Sequence, residues 1–172
     1  MSRLVDSEGR PLPDVEVPSP EKLRIYGDMS FLAFRSSRHS RMSVGQLRTY
    51  LEPAIEFGQF RVFRFDDVPR AMITWAYMGP DSIRKLIEGA PLEPADWRSG
   101  PDLWVIDLIA PYRRLTGQLV RWMMVRGNFA AREFWFRRVG DANETRRIVH
   151  IDFEAEKLSR VYSADEFIQT LD

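Results

Sequence analysis

LWVIDLIAPYRRLTGQL, residues 103–119, begins as an apolar run, breaks at Pro111 and resumes as a glycine-containing helical start. A strand that runs into a helix with no room for a hairpin calls for a crossover, so this stretch sets a mixed α/β reading of the chain. Strict alternation puts Leu103, Val105, Asp107 and Ile109 on one face and Trp104, Ile106, Leu108 and Ala110 on the other. Asp107 is thereby predicted to be buried or to face a cleft. A buried carboxylate without partners costs several kcal/mol, so this position demands either a hydrogen-bonded structural role or a chemical one.

Working outward, "SPEKLRIYGDMSFLAFRSS" opens a helix with Ser19 as N-cap, Pro20 in the first turn and Lys22 in the slot that favours Glu. A second helix is predicted over Val44–Phe57 from the stripe Leu47, Leu51, Ala54 and Ile55. "QFRVFRFDDVPRAMITWAYM" changes to period two around Asp66 and Asp67, which reads as a hairpin. "GPDSIRKLIEG" is a short helix between Pro80 and Gly89, "LEPADWRSGP" is a loop, and "GQLVRWMMVRGNFA" is a helix with Leu119, Trp122, Met123 and Phe129 on its core side. Strands "EFWFRRV" and "RRIVHIDFE" follow, then a terminal helix from about Ser163. The predicted order is α-α-β-β-α-β-α-β-β-α in one domain over residues 19–172. Residues 1–18, rich in Pro, Asp, Glu and Gly, are expected to be a mobile extension.

Composition removes several functions. The 172 residues contain no cysteine, which excludes disulfides, thiolate metal sites and a cysteine nucleophile, and two histidines argue against a zinc site, so no metal is expected. Net charge is 0, giving no global field to gather nucleic acid or an anionic membrane. No stretch approaches the roughly 20 apolar residues of a bilayer span, and the N-terminal residues lack a signal-peptide core, so no membrane insertion and a cytoplasmic location are expected. Charge is nevertheless uneven. Residues 113–147 carry nine arginines against three acids, whereas residues 148–172 carry six acids against two bases. The basic segment is either a solvated face or a docking face for an acidic partner.

Two kinds of motif carry chemistry. Arg114-x-x-Gly117-x-Leu119 partly matches the Arg/Gln-x-x-Gly-x-Gly/Ala signature of GNAT-type acyltransferases, in which N–H groups at a helix start hold a pantetheine phosphate. Leu119 stands where a small residue is usual. More specific are the ordered blocks "GDMSFLAFRSSRHSRMSV", "LEPAIEFGQF", "DDVPRAMITWA", "ADWRSGPDLWVIDLIAPY" and "FRRV", within a similarity that runs over about residues 27–147. In these blocks the chain resembles the RTX toxin-activating lysine acyltransferases, the hemolysin- and cyclolysin-activating proteins.

That resemblance implies a GNAT-like single-domain fold. It also implies transfer of a fatty acyl group from acyl-acyl-carrier-protein to internal lysines of an RTX protoxin or adhesin, with the carrier thioester as co-substrate and no bound cofactor. The family's histidine and aspartate map onto His39 and Asp107. His39 is expected to act as general base, because a free amine must lose a proton to attack a thioester, and Asp107 to orient His39 or the lysine. Ser36 is a second candidate, on an acyl-enzyme route through it or through His39. Backbone from Arg114 to Gly117, including Thr116, is expected to hold the phosphate, with Arg113, Arg114 and Arg121 meeting the acidic carrier. A homodimer is compatible with the resemblance. The family's Pro-Leu-His-Arg-x-Trp-Pro is replaced here by Ser37-Arg38-His39-Ser40-Arg41-Met42-Ser43, with Leu108 where Trp often follows the aspartate. His150, with no motif around it, reads as structural. Two alternatives stand beside this reading: a GNAT-like enzyme using acyl-CoA on another amine, and a non-catalytic adaptor that binds an RTX protein.

Overall fold

The computed structural model describes residues 5–11, 17–140 and 143–171. Residues 1–4 and 12–16 of the expected mobile extension lie outside them. Between Val5 and Pro11 the chain makes a local turn in which the Asp6 carboxylate accepts from the N–H groups of Glu8 and Arg10 at 2.8 and 2.9 Å.

Helix α1 is Pro20–Ala33 and α2 is Val44–Phe57. Ser19 caps α1 by accepting from the Lys22 N–H, and Ser43 with Gln46 forms a reciprocal capping box on α2. Strands β1 (Phe60–Phe65) and β2 (Val68–Met78) form the predicted hairpin. Its turn residues Asp66 and Asp67 both take positive φ, 50° and 63°, which twists the connection to match the strands. Helix α3 (Pro80–Glu88), strand β3 (Asp102–Ile109), helix α4 (Leu115–Met123), strands β4 (Glu133–Val139), β5 (Thr145–Asp152) and β6 (Ser159–Tyr162), and helix α5 (Ala164–Ile168) complete the chain.

One six-stranded sheet runs β1-β2-β3-β4-β5-β6. Every pairing is antiparallel except β3 with β4, which α4 connects as a crossover. The chain therefore has a mixed α+β fold with a single sheet. Strand β6 departs from the sequence reading. Its polar approach hides it, and it exists because Val161 and Tyr162 find partners in Val149 and Ile148. Helix α4 stops at Met123 rather than continuing through residue 130; Phe129 lies beyond it yet still packs with Met123, Phe134 and Ile151.

The sheet separates two apolar cores. On one face Met29, Leu32, Leu47, Leu51, Ile83 and Leu86 of α1–α3 meet Trp104, Ile106 and Ile109. On the other, Met123 of α4 meets Ile73, Val105, Phe134 and Ile151. Each such side chain contributes about 1.5–3 kcal/mol on burial. The loop between α3 and β3 is tied to the sheet by a close backbone approach. A Cβ on Gly100 would lie 2.5 Å from Gly79 Cα, so only glycine fits there.

Strict alternation in β3 fails at one point. Thr74 pairs with Asp107 but Trp75 pairs with Val105, leaving Ile106 as an extra, bulged residue. The two cores register the change of phase. Leu103, Val105 and Leu108 pack on the α4 side, whereas Trp104, Ile106 and Ile109 pack on the α1–α3 side. Asp107 shares the phase of Ile109, not of Val105 as expected, and so turns toward the loop that follows α1.

Candidate active site

Between β3 and β4 the parallel ladder registers only Trp104 with Trp135 and Val105 with Phe136. Past that point a cavity of about 290 Å³ opens, walled by Val120 and Met123 of α4, by Phe136, and by Ser36, His39 and Asp107. The bulge and the short ladder together make room where a longer pairing would have closed the sheet.

Into this cavity the turn after α1 brings His39, which begins a 3₁₀ turn His39–Arg41 and is 4% exposed. Its Nε2 lies 3.2 Å from Asp107 Oδ2 and its Nδ1 lies 2.8 Å from Ser36 Oγ. The carboxylate selects the tautomer with hydrogen on Nε2, which leaves the Nδ1 lone pair to accept the Ser36 hydroxyl. Asp107 is held further by its own backbone N–H, which donates to Thr74 Oγ1 at 3.2 Å. The three candidates Ser36, His39 and Asp107 thus form one hydrogen-bonded row.

Arg38 joins it. The Arg38 guanidinium donates to Asp107 Oδ1 in a very short contact, and its Nη2 lies 2.9 Å from His39 Nε2 because both donors converge on one carboxylate. Its Nη1 reaches Asn143 Oδ1 at 2.5 Å, and Arg137 Nη2 reaches the same oxygen at 3.2 Å. Burial lowers the Arg137 pKa, an effect opposed by the nearby Tyr50 and Asp107. The Tyr50 ring stands edge-on to His39 with centroids 6.1 Å apart, and its hydroxyl oxygen accepts from Asn143 Nδ2 at 3.4 Å. Sequence reading did not place Arg38, Tyr50, Arg137 or Asn143 here. The one signal was Arg38 itself, a charge directly before His39 where related chains commonly carry Leu.

The predicted carrier-binding residues divide. A second cavity, about 550 Å³, adjoins the first through shared residues Ser36 and Leu108 and is lined by Arg35, Arg113, Arg114 and Thr116. Arg114 precedes α4 with φ 67° and supplies no side-chain cap, which leaves the first N–H groups of α4 available to an anion. A Cβ on Gly117 would meet nothing within 4 Å, so no packing in this chain requires glycine there. Arg121 folds back on its own helix, donating to the Gly117 carbonyl at 3.2 Å, and does not line the cavity. Elsewhere in the basic segment Arg126 pairs with Glu154, Arg132 approaches Glu133 and Glu154, and Arg146 pairs with Glu144. Among the described residues Arg113, Arg114 and Arg121 form no ion pair. The segment from Arg113 through α4 thus carries three arginines without an acidic partner.

Residues 19–152 match the model of the HlyC family, described as the RTX toxin acyltransferase family. The chain belongs to the RTX toxin acyltransferase family. Among family members, it is 29% identical over 152 residues to the RTX-III toxin-activating lysine-acyltransferase ApxIIC of Actinobacillus pleuropneumoniae, an alignment covering 84% of this chain and 86% of that one. It is 30% identical over 115 residues to the protein-lysine palmitoyltransferase CyaC of Bordetella bronchiseptica, covering 64% and 62% of the two chains. To the leukotoxin-activating lysine-acyltransferase LtxC of Aggregatibacter actinomycetemcomitans it is 34% identical over 87 residues, about half of each. Among the described residues no helix is long and apolar enough to cross a membrane.

Proposed function

We propose that this protein is a lysine acyltransferase with a GNAT-like arrangement, moving a fatty acyl group from the phosphopantetheine thioester of acyl carrier protein to lysine side chains of an RTX-type protein. The observation that carries the reading is the Ser36–His39–Asp107 row, its histidine and aspartate buried, on the wall of a cavity, in a chain whose relatives are named as toxin-activating lysine acyltransferases. A protonated lysine cannot attack a thioester, and a base beside the cavity answers that need.

In the reaction, the neutral Nζ of the lysine attacks the thioester carbonyl carbon. A C–N bond forms and the C–S bond breaks. The amine proton passes through the Ser36 hydroxyl to His39 Nδ1, and the departing carrier thiolate is protonated in turn. Asp107 holds the Nε2–H and balances the imidazolium as it forms. The donor's phosphate sits at the start of α4 with Arg113, Arg114 and Thr116, one cavity away from His39. Arg121, on the same helix, adds positive charge to the face that meets the acidic carrier. Such charge pairing speeds and orients encounter, and it weakens with salt.

Intact-mass spectrometry of an RTX protein incubated with this protein and either acyl-carrier protein or acyl-CoA tests the reading. A lysine-linked acyl mass from the carrier donor supports it; transfer from CoA alone favours an enzyme of different donor class, and binding without an adduct from either donor favours the adaptor.

A further inference from the structure

Beyond Tyr50, on the side away from His39, lies a cavity of about 500 Å³ between α2, the loop after α3 and the β4–β5 corner. Its walls include Met42, Tyr50, Leu86, Leu92 and Trp97. It meets the cavity holding His39 at Arg137, which lines both. Cavities therefore follow one another in a row: the cationic one at α4, the one with the Ser36–His39–Asp107 row, and the apolar one past Arg137.

The polar groups at the junction are incomplete. Among the described residues Arg137 Nε is buried without a hydrogen-bond partner, and its Nη groups bond the neutral oxygens of Asn143 and Thr145. The indole Nε1 of Trp97 is likewise buried and unpartnered, although the residue is 1% exposed. An unsatisfied buried donor is costly, and a ligand oxygen at Arg137 would relieve one of them. What lies past it is mostly hydrocarbon.

We infer that the apolar cavity takes the distal part of the donor's acyl chain and that Arg137 Nε–H faces the acyl carbonyl as the chain passes. The inference rests on the acyl-transfer reading and adds to it a place for the chain and a limit on its length. The order of the cavities argues for this occupant. A donor whose phosphate is at α4 and whose thioester is beside His39 has its hydrocarbon end pointing onward, and the next space is this one. A target peptide, the other candidate occupant, has no comparable reason to need a mostly apolar end.

Thr49 on α2 and Ala90 in the loop after α3 line the cavity from opposite sides and are exposed, so large side chains there fill space without disturbing the core. The test measures kcat/KM with hexanoyl- and palmitoyl-carrier protein for wild type, Thr49→Trp and Ala90→Phe, each checked by circular dichroism. Burying a methylene is worth about fourfold in binding, so wild type favours the long chain. Each variant is expected to use the hexanoyl donor within about twofold of wild type and to lose on the order of tenfold or more with the palmitoyl donor. Parallel loss with both donors would assign the cavity to the target protein, and an unchanged chain-length profile would leave it without an acyl role; either overturns the inference while the acyl-transfer reading stands. Wild type that acylates with no donor would overturn both.

Discussion

His39 and His150 are built alike. Each places Nε2 against a carboxylate, at 3.2 Å from Asp107 and at 2.8 Å from Glu133. Their surroundings differ. His39 has Ser36 on its other nitrogen and a cavity in front of it, whereas the His150 ring is covered by Trp135, stacked 3.7 Å away and 4° from parallel. Glu133, His150 and Asp152 also bring three ligand atoms within 4.8 Å of one another, but they lie on the strand surface at the opposite end of the sheet crossing from the His39 loop. A histidine paired with a carboxylate is thus found both in packing and beside a cavity; what separates the two is a hydroxyl and open space at the second nitrogen of His39 against a covering indole at His150.

The sharpest way to break this contrast is a pair of substitutions. His39→Ala should reduce acyl transfer by about 10²–10⁴-fold, the usual worth of a positioned base. His150→Ala should leave transfer within a few-fold. Initial rates by mass spectrometry decide, and equal losses would erase the distinction. The second effect concerns stability at the His39–Asp107 pair. Arg38→Leu removes a cation from a carboxylate that is 8% exposed, and breaking such a pair costs about 3 kcal/mol, readable in urea denaturation. A cost near zero would mean that His39 alone sustains Asp107.

Away from the site, Asp96 offers a pH-dependent comparison. Burial raises its pKa, but the Ser82 hydroxyl, the Glu93 N–H and the Lys85 ammonium outweigh that and lower it overall. A depressed folded pKa adds stability above the unfolded value near 4, and that stability is lost as pH falls through the folded value. Asp96→Asn should therefore cost about 1–3 kcal/mol at neutral pH and less in acid, where the wild-type carboxyl is also neutral. Melting temperatures of both proteins from pH 7 down to about pH 3 check the sign. The smallest effect is that of His150→Ala on stability, about 1 kcal/mol from lost stacking and a partly exposed hydrogen bond to Glu133. A larger loss would give that cluster a weight the contrast denies it.

How much of this was legible beforehand depends on the range of the interaction responsible. Helix starts at Ser19, Ser43 and Ser163 are local capping events and can be read from three or four residues. The Asp66–Asp67 turn is as local. Strand β6 was not legible, because its residues are strand only by virtue of β5 beside them. The overlong prediction for α4 has the same origin: apolar spacing continues through Phe129, but after Met123 those side chains reach the core from a turn, not a helix.

By itself the sequence determined the order of elements apart from β6, the apolar stripes of α2 and α4, and the placing of His39 and Asp107 as the residues to watch, the first two from periodicity and the last from a family's ordered blocks. Only the tertiary structure decided which way Asp107 points, that Arg38 and Ser36 share its hydrogen-bonded row, that Arg137 stands partly buried between two cavities, and that Gly117 answers to no packing demand. The reason is physical. Capping and periodicity act within a few residues, whereas a bulge at Ile106, a ladder that stops after Val105 and a guanidinium shared across 105 residues of chain depend on hydrogen bonds between segments that meet only once the sheet has formed.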